Sequence, residues 1–159
     1  EALRTAYFWT LGSLSGISWQ MNAILAAYAV PAALLAFRLA RDLNALSLGE
    51  EAAAALGTEV ERTKRAAYVL GSLLAAATVS VAGIIGFVGL VVPHAVRILW
   101  GSDHRLVLPL SCLAGAGVVA FADALARGPW GVVEIPIGVV TALVGVPFFL
   151  VLLRRGTAA

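Results

Sequence analysis

The sequence predicts an all-helical bundle of membrane-spanning segments, and both its composition and its patterning support this fold class. Hydrophobic residues make up 61% of the 159 residues, charged residues make up only 13%, and the mean hydropathy is +0.95. This composition does not suit a soluble domain. The hydrophobic residues also form long runs that contain closely spaced glycines and alanines, as in tightly packed membrane helices. We therefore predict a single polytopic domain over residues 1–159.

Five apolar runs are candidates for spans. They lie at about 23–37, 66–85, 86–100, 106–126 and 137–153. A span surrounded by lipid takes about 20 residues, so the short third run should lie inside a bundle, surrounded by protein. No signal-like region precedes the first run, so we expect that an N-terminal part of a longer protein is missing.

The lysines and arginines predict the direction of these spans. If the spans alternate, nine basic residues fall on one side: Arg38, Arg41, Arg62, Lys64, Arg65, Arg97, Arg105, Arg154 and Arg155. Only Arg4 and Arg127 fall on the other. By the positive-inside rule, the polar segment 43–65, the turn 101–105 and the C-terminus are cytoplasmic. This asymmetry also explains the isoelectric point near 9.1, which we do not interpret as a sign of nucleic-acid binding.

The polar segment 43–65 contains two helix-start patterns. Ser47 and Glu50, and likewise Thr58 and Glu61, have the spacing of a capping box. Gly57 can end the first helix in a left-handed conformation, which limits that helix to about 48–56. One interpretation is a solvated helical loop. The other is a docking element, because an ordered helix between two spans is typical of a functional loop. The candidate docking residues are Leu48, Gly49, Glu50, Ala53, Ala54, Leu56 and Gly57.

Small residues recur at helical spacing in two sets, and each set is predicted to line one helix face where another helix packs. The first set is Gly83, Gly86 and Gly89, and the second is Gly138, Ala142 and Gly145. Packing alone explains such spacing, and a position along a transport pathway is the alternative. Pro93 and His94 follow the first set, and we expect them to start a helix, to pack, or to contact a pathway.

Candidates for chemistry are few. No Cys, Asp or Glu lies at ligand spacing from His94, so we predict no metal site, and we assign His104 to a cytoplasmic turn. Lys64, the single lysine, lies in no phosphate-binding loop, so we predict no nucleotide hydrolysis and no cofactor. Cys112 is predicted to be a small buried residue. Asp123 and Arg127 are four residues apart and can form an ion pair at the end of a span.

Six motifs together carry a resemblance to a known family. They are WTLGSL at 9–14, LNALSLGE at 43–50, GIIGFVGLVVPH at 83–94, DHR at 103–105, ADALAR at 122–127 and EIPIG at 134–138. In this order they resemble the permease family of ABC importers for iron-siderophores, haem and vitamin B12. The resemblance implies the C-terminal half of a ten-span, type II importer subunit. Residues 1–20 would then form a short external helix, and the five runs would be the sixth to tenth spans.

The resemblance also implies partners and sites. The segment 43–65 would be a cytoplasmic coupling-helix loop that docks on a homodimeric ATP-binding subunit. Arg127 would bind an external substrate-binding protein, and a second permease copy would complete the pathway in a bacterial inner membrane. The cargo would be an iron-siderophore, or else haem or vitamin B12. The turn 128–133 departs from the family pattern, with its proline shifted towards Arg127. A channel or an ion-coupled carrier is the alternative, although its mid-span acids are missing from the sequence.

Overall fold

The computed structural model describes residues 11–128 and 135–156, and this part of the chain is helical without strands. Its helices are α1 (Trp19–Arg38), α2 (Ala40–Leu46), α3 (Glu50–Ala55), α4 (Val60–Ala82), α5 (Val88–Trp100), α6 (His104–Ala126) and α7 (Ile137–Gly156). The five predicted spans correspond to α1, α4, α5, α6 and α7. Helices α1, α4 and α6 are long and apolar enough to cross a membrane, whereas α5 and the apolar part of α7 are shorter.

Two clusters of buried apolar side chains hold α5, α6 and α7 together. Helix α1 packs on α4, while α5, α6 and α7 pack on one another. One buried cluster joins α5 to α6 through Val92, Val96 and Val107. A second joins α6 to α7 through Ala122, Ala126 and Ile137. Large apolar side chains lie mostly on the outside, a surface that suits lipid or further helices rather than water.

The bundle has two distinct ends, which we name by their contacts. At the polar end, α2 packs on α3 and on the start of α6. At the opposite end, the N–H of Ser13 donates to the carbonyl of Ala82 at 2.9 Å, and the N–H of Gly138 donates to the carbonyl of Leu11 at 3.0 Å. The segment before α1, the end of α4 and the start of α7 therefore meet at this end.

Both predicted capping boxes are wrong. The Ser47 hydroxyl donates to the carbonyl of Asn44 at 2.6 Å, because Ser47 follows the end of α2. The N-cap of α3 is Gly49 at φ 106°, and the N-cap of α4 is Glu59; neither makes a side-chain cap hydrogen bond. The prediction for Gly57 is confirmed. Its φ is 83°, and its N–H donates to the carbonyl of Ala54 as α3 ends.

The first set of small residues does not line a helix face. Gly83 ends α4 at φ 72° and Gly86 lies in the break between α4 and α5, so only Gly89 is helical. A Cβ atom added at Gly86 or Gly89 would meet nothing within 4 Å. Pro93 lies inside α5 and does not start it. The prediction failed because the break between α4 and α5 interrupts the spacing of three.

Two other expectations also need correction. Cys112 is exposed, since it lies on the outward face of α6. The expected external helix at 1–20 falls partly outside the described residues. Residues 11–18 are turns and irregular backbone, and Trp19 already begins α1.

Candidate functional site

The first candidate site is the short helix α3 at the polar end. Leu48 and Leu56, at its two ends, are 69% and 64% exposed, and Ala54 between them is also exposed. Apolar side chains presented in this way on an ordered element are typical of an interaction surface. We call Leu48, Ala54 and Leu56 the α3 surface.

Two contacts fix the α3 surface to the rest of the chain. Ala53 is fully buried in a helix that packs on α2 and α4. The Glu50 carboxylate pairs with the Lys64 ammonium of α4. Ala53 was expected on the docking face, and this is corrected: its side chain is fully buried, because α3 packs on α2 and α4. Helix α3 is thus held from behind and presents its other side outward.

A second cluster at the polar end was not predicted. The Asn44 side-chain N–H of α2 donates to Asp103 Oδ1 at 2.6 Å. The Asn44 Oδ1 accepts from the backbone N–H of His104 at 2.8 Å and lies 2.7 Å from His104 Nδ1. Because an amide oxygen only accepts, Nδ1 carries the proton in this arrangement. We call Asn44, Asp103 and His104 the Asn44 clasp, and it corrects the assignment of His104 to a simple turn.

Asp103 has a double role in the Asn44 clasp. As N-cap of α6 it accepts from the Arg105 N–H at 2.9 Å, and it also accepts from Asn44. These two hydrogen bonds hold the pKa of the Asp103 carboxyl below its usual value of 3.8. The stability that this carboxylate contributes is therefore fully present above pH 3.8 and is lost as the pH falls through the lowered pKa.

Arg127 lies at the opposite end, as the C-cap of α6. Its Nε donates to Asp123 Oδ1 at 3.0 Å and lies 2.9 Å from Oδ2, so the predicted ion pair is present. The Arg127 side chain is 51% exposed, compared with 24% for Asp123. The pair therefore orients Arg127 while leaving half of its side chain accessible. Residues 129–134, which include most of the turn 128–133 and the first residue of the EIPIG motif, lie outside the described residues.

The predicted packing residues of α7 make unusually close approaches. A Cβ atom at Gly138 would overlap the carbonyl oxygen of Leu11, and one at Gly145 would overlap the Cβ of Phe87. Phe87 itself has φ 65°, which is uncommon for a residue other than glycine. His94 packs edge-on against the Phe148 ring, with centroids 6.4 Å apart. His94 thus contacts α7.

Phe87 also separates two apolar grooves. The first, of about 450 Å³, lies between α5, α6 and α7 and includes Val91, Phe121 and Val144 in its lining. The second, of about 600 Å³, lies on the other face of α7 beside Ile84. Among the described residues, no three His, Cys, Asp or Glu side chains lie close enough together to hold a metal ion.

Comparison with known proteins bears on this arrangement. The model of the FecCD transport family matches residues 1–155. The chain belongs to the FecCD transport family. This membership confirms the resemblance drawn from the six motifs, and with the long apolar helices it identifies a multi-pass membrane protein.

Individual FecCD relatives match almost the whole chain. The cobalamin import system permease protein BtuC of Halobacterium salinarum is 48% identical over 153 residues, which are 96% of this chain and 41% of that protein. The hemin transport system permease protein HmuU of Yersinia pestis is 41% identical over 155 residues, 98% of this chain and 46% of that protein. The chain therefore spans less than half the length of these two relatives.

A solved structure supports the fold. It is described as an inward-facing conformation of a metal-chelate type ABC transporter, and it superposes with a TM-score of 0.89 at 35% identity. The match covers 98% of this chain and 50% of that chain. The predicted all-helical membrane bundle is thereby confirmed.

Proposed function

We propose that this chain forms part of the permease subunit of an ABC importer that moves a metal chelate into the cell. The observation that carries the proposal is the FecCD match over residues 1–155. The names of the relatives, which refer to cobalamin and hemin, support a bulky metal chelate as the cargo class. ATP hydrolysis belongs to a separate subunit in this proposal.

The polar end is the side that we propose to face the cytoplasm and the ATP-binding subunit. The arginines in α2 and at the starts of α4 and α6 support this orientation through the positive-inside rule. By the same rule we propose that the C-terminus is cytoplasmic. The α3 surface supports docking, since it is apolar, exposed and held from behind by Ala53. In a bacterial cell the membrane would be the inner one.

Other described features fit the same assembly. Exposed side chains such as Leu113, Phe121 and Leu143 lie on α6 and α7. They suit contact with the remaining spans, with a second permease copy or with lipid.

Gly86, Gly89, Pro93 and His94 lie around α5, while Gly138 and Gly145 lie on α7. These are the positions at which we propose packing or contact with the pathway.

Purification of the intact permease with its candidate partners tests the proposal. We expect an ATP-binding subunit to copurify with the permease. Proteoliposomes containing the complex and an external binding protein should take up radiolabelled ferrichrome, haemin or cyanocobalamin only when ATP is inside with the ATP-binding subunit. Uptake by the permease alone, driven by an ion gradient and independent of ATP, would contradict the proposal and support an ion-coupled carrier.

Charge reversal at Arg127 should weaken docking of the external binding protein. Half of the Arg127 side chain is exposed at the opposite end, where its guanidinium can reach a carboxylate of a partner. An exposed pair contributes about 0.2–1 kcal/mol. We therefore expect Arg127→Glu to lower the association rate more than it raises the dissociation rate, and added salt to reduce the difference. Surface plasmon resonance on the complex in nanodiscs measures both rates.

A second variant separates docking from a purely structural role of Arg127. Arg127→Glu combined with Asp123→Arg restores an ion pair within α6 but keeps the reversed charge at position 127. If docking recovers in this double variant, Arg127 acts through the helix and not through the partner. If docking stays weak and a Glu→Arg change on the binding protein restores it, Arg127 contacts that protein.

A further inference from the structure

We infer that Asn44 is a positioning residue that couples the α3 surface to the Arg127 end of the molecule through helix α6. The inference rests on the proposed function, because it assigns a role to the connection between the two docking sites of an importer. It is carried by the Asn44 clasp, whose contacts join parts of the chain that are 59 and 60 residues apart in sequence.

The Asn44 amide is bonded on both sides. Its N–H donates to the Asp103 carboxylate, and its oxygen accepts from His104 of the first turn of α6. Backbone N–H groups in the first turn of a helix have no partner within that helix. Asn44 supplies one of these partners from α2, the element that directly precedes the α3 surface. The start of α6 is therefore fixed to α2, the helix on which α3 packs.

Helix α6 connects α2 at the polar end to Arg127 at the opposite end. It runs without interruption from His104 to Ala126 and ends at Arg127. At about 1.5 Å per residue its 23 residues cover about 35 Å, enough to cross the apolar part of a bilayer. At one end the Asn44 clasp joins α6 to α2, and at the other the pair between Arg127 and Asp123 orients Arg127 on the last turn of α6. A displacement of either end is thus passed along one helix.

The polar end of α6 depends on the Asn44 clasp more than an ordinary helix start would. Pro109 lies within α6 and has no N–H, so the carbonyl of Arg105 loses its usual helical partner. The first turn is therefore less firmly bonded to the rest of the helix than a turn without a following proline. Side-chain bonds from α2 compensate by holding that turn in place.

Exchange of the two partners tests the inference. In Asn44→Asp, a second carboxylate would face Asp103 across a 2.6 Å contact, and repulsion should open the Asn44 clasp. Adding Asp103→Asn restores a donor opposite an acceptor, and asparagine caps a helix as well as aspartate does. Asp103→Asn alone is the matched control, since an amide can face Asn44 without repulsion.

The measured quantity is the ratio of ATPase rates with and without the external binding protein, determined on assembled complexes of the intact permease in nanodiscs. The binding protein is presented with ferrichrome, haemin or cyanocobalamin, whichever is taken up. We expect Asn44→Asp to lower this ratio about fivefold or more, which is the lower end of the range of about 5- to 150-fold that coupling between sites gives in binding affinity. Asp103→Asn should leave the ratio close to that of the parent, and the exchanged pair should restore it.

Binding affinity provides a second measurement. If Asn44 couples the two sites, Asn44→Asp should also reduce the change in binding-protein affinity that ATP produces. A merely structural role would lower the yield of complex and leave both quantities intact in the complexes that assemble. A parental ratio in Asn44→Asp, or a loss that the exchanged pair fails to restore, would overturn the inference. Failure of the proposed function would differ, because the parent itself would then show no stimulation.

Discussion

Tryptophan at Ala54 should uncouple ATP hydrolysis from transport, whereas tryptophan at Ala53 should prevent normal folding. The two positions are neighbours on α3 but face opposite ways. Ala54 is exposed on the α3 surface, and Ala53 is fully buried. A large ring at Ala54 changes the permease fold little, since surface substitutions usually stay within about 0.5 kcal/mol. It would, however, hold the proposed ATP-binding subunit away from Leu48 and Leu56.

The expected results differ enough to be measured in one experiment. Ala54→Trp should give a permease of parental yield and melting temperature with almost no transport. Ala53→Trp should lower the yield, because overpacking a filled site costs about 1–3 kcal/mol or more. Ala54→Ser is the conservative control and should transport normally. Parental stimulation of ATPase activity by the loaded binding protein in Ala54→Trp would show that α3 does not dock on the ATP-binding subunit.

The helices of the bundle could be predicted because apolar runs and polar breaks are local properties of the sequence. The run at 106–126 lies within α6 almost residue for residue. Helix starts were harder, since the capping-box spacing at Ser47 ignores backbone conformation. Gly49 at φ 106° takes the N-cap position of α3, which leaves Ser47 to bond backward to Asn44. A spacing pattern records which side chains are present, but not where the chain turns.

The candidate sites could likewise be predicted only where their contacts are local in the sequence. The pair between Asp123 and Arg127 lies within one helical turn, so the sequence predicted it. The Asn44 clasp joins segments 59 and 60 residues apart, so it depends on how α2 packs against α6 and has no local signal. Ala53 and Ala54 were equivalent in the sequence, and only the packing of α3 on α2 and α4 distinguishes them.

Alanine at Gly145 should destabilise the bundle even though it adds a single methyl group. The added Cβ would overlap the Cβ of Phe87 and come within 2.6 Å of its Cγ. Phe87 cannot easily move away, because it is the N-cap of α5 and is held at φ 65°. We expect a loss of about 1–3 kcal/mol, measured as a lower melting temperature in detergent. Leucine should be worse and should prevent assembly. Gly71→Ala on α4 is the control, since a Cβ there meets nothing within 4 Å.

Glycine at Phe87 should make alanine at Gly145 tolerable. Phe87→Gly removes the overlapping side chain and also relieves the positive φ, which costs a residue other than glycine about 1–3 kcal/mol. Gly145→Ala should therefore have little effect in the Phe87→Gly background, although it destabilises the parent. The difference between the two backgrounds is a coupling free energy, which for residues in contact amounts to about 0.5–3 kcal/mol. Equal effects in both backgrounds would mean that Gly145 does not pack on Phe87 and that α7 is rotated from the orientation described.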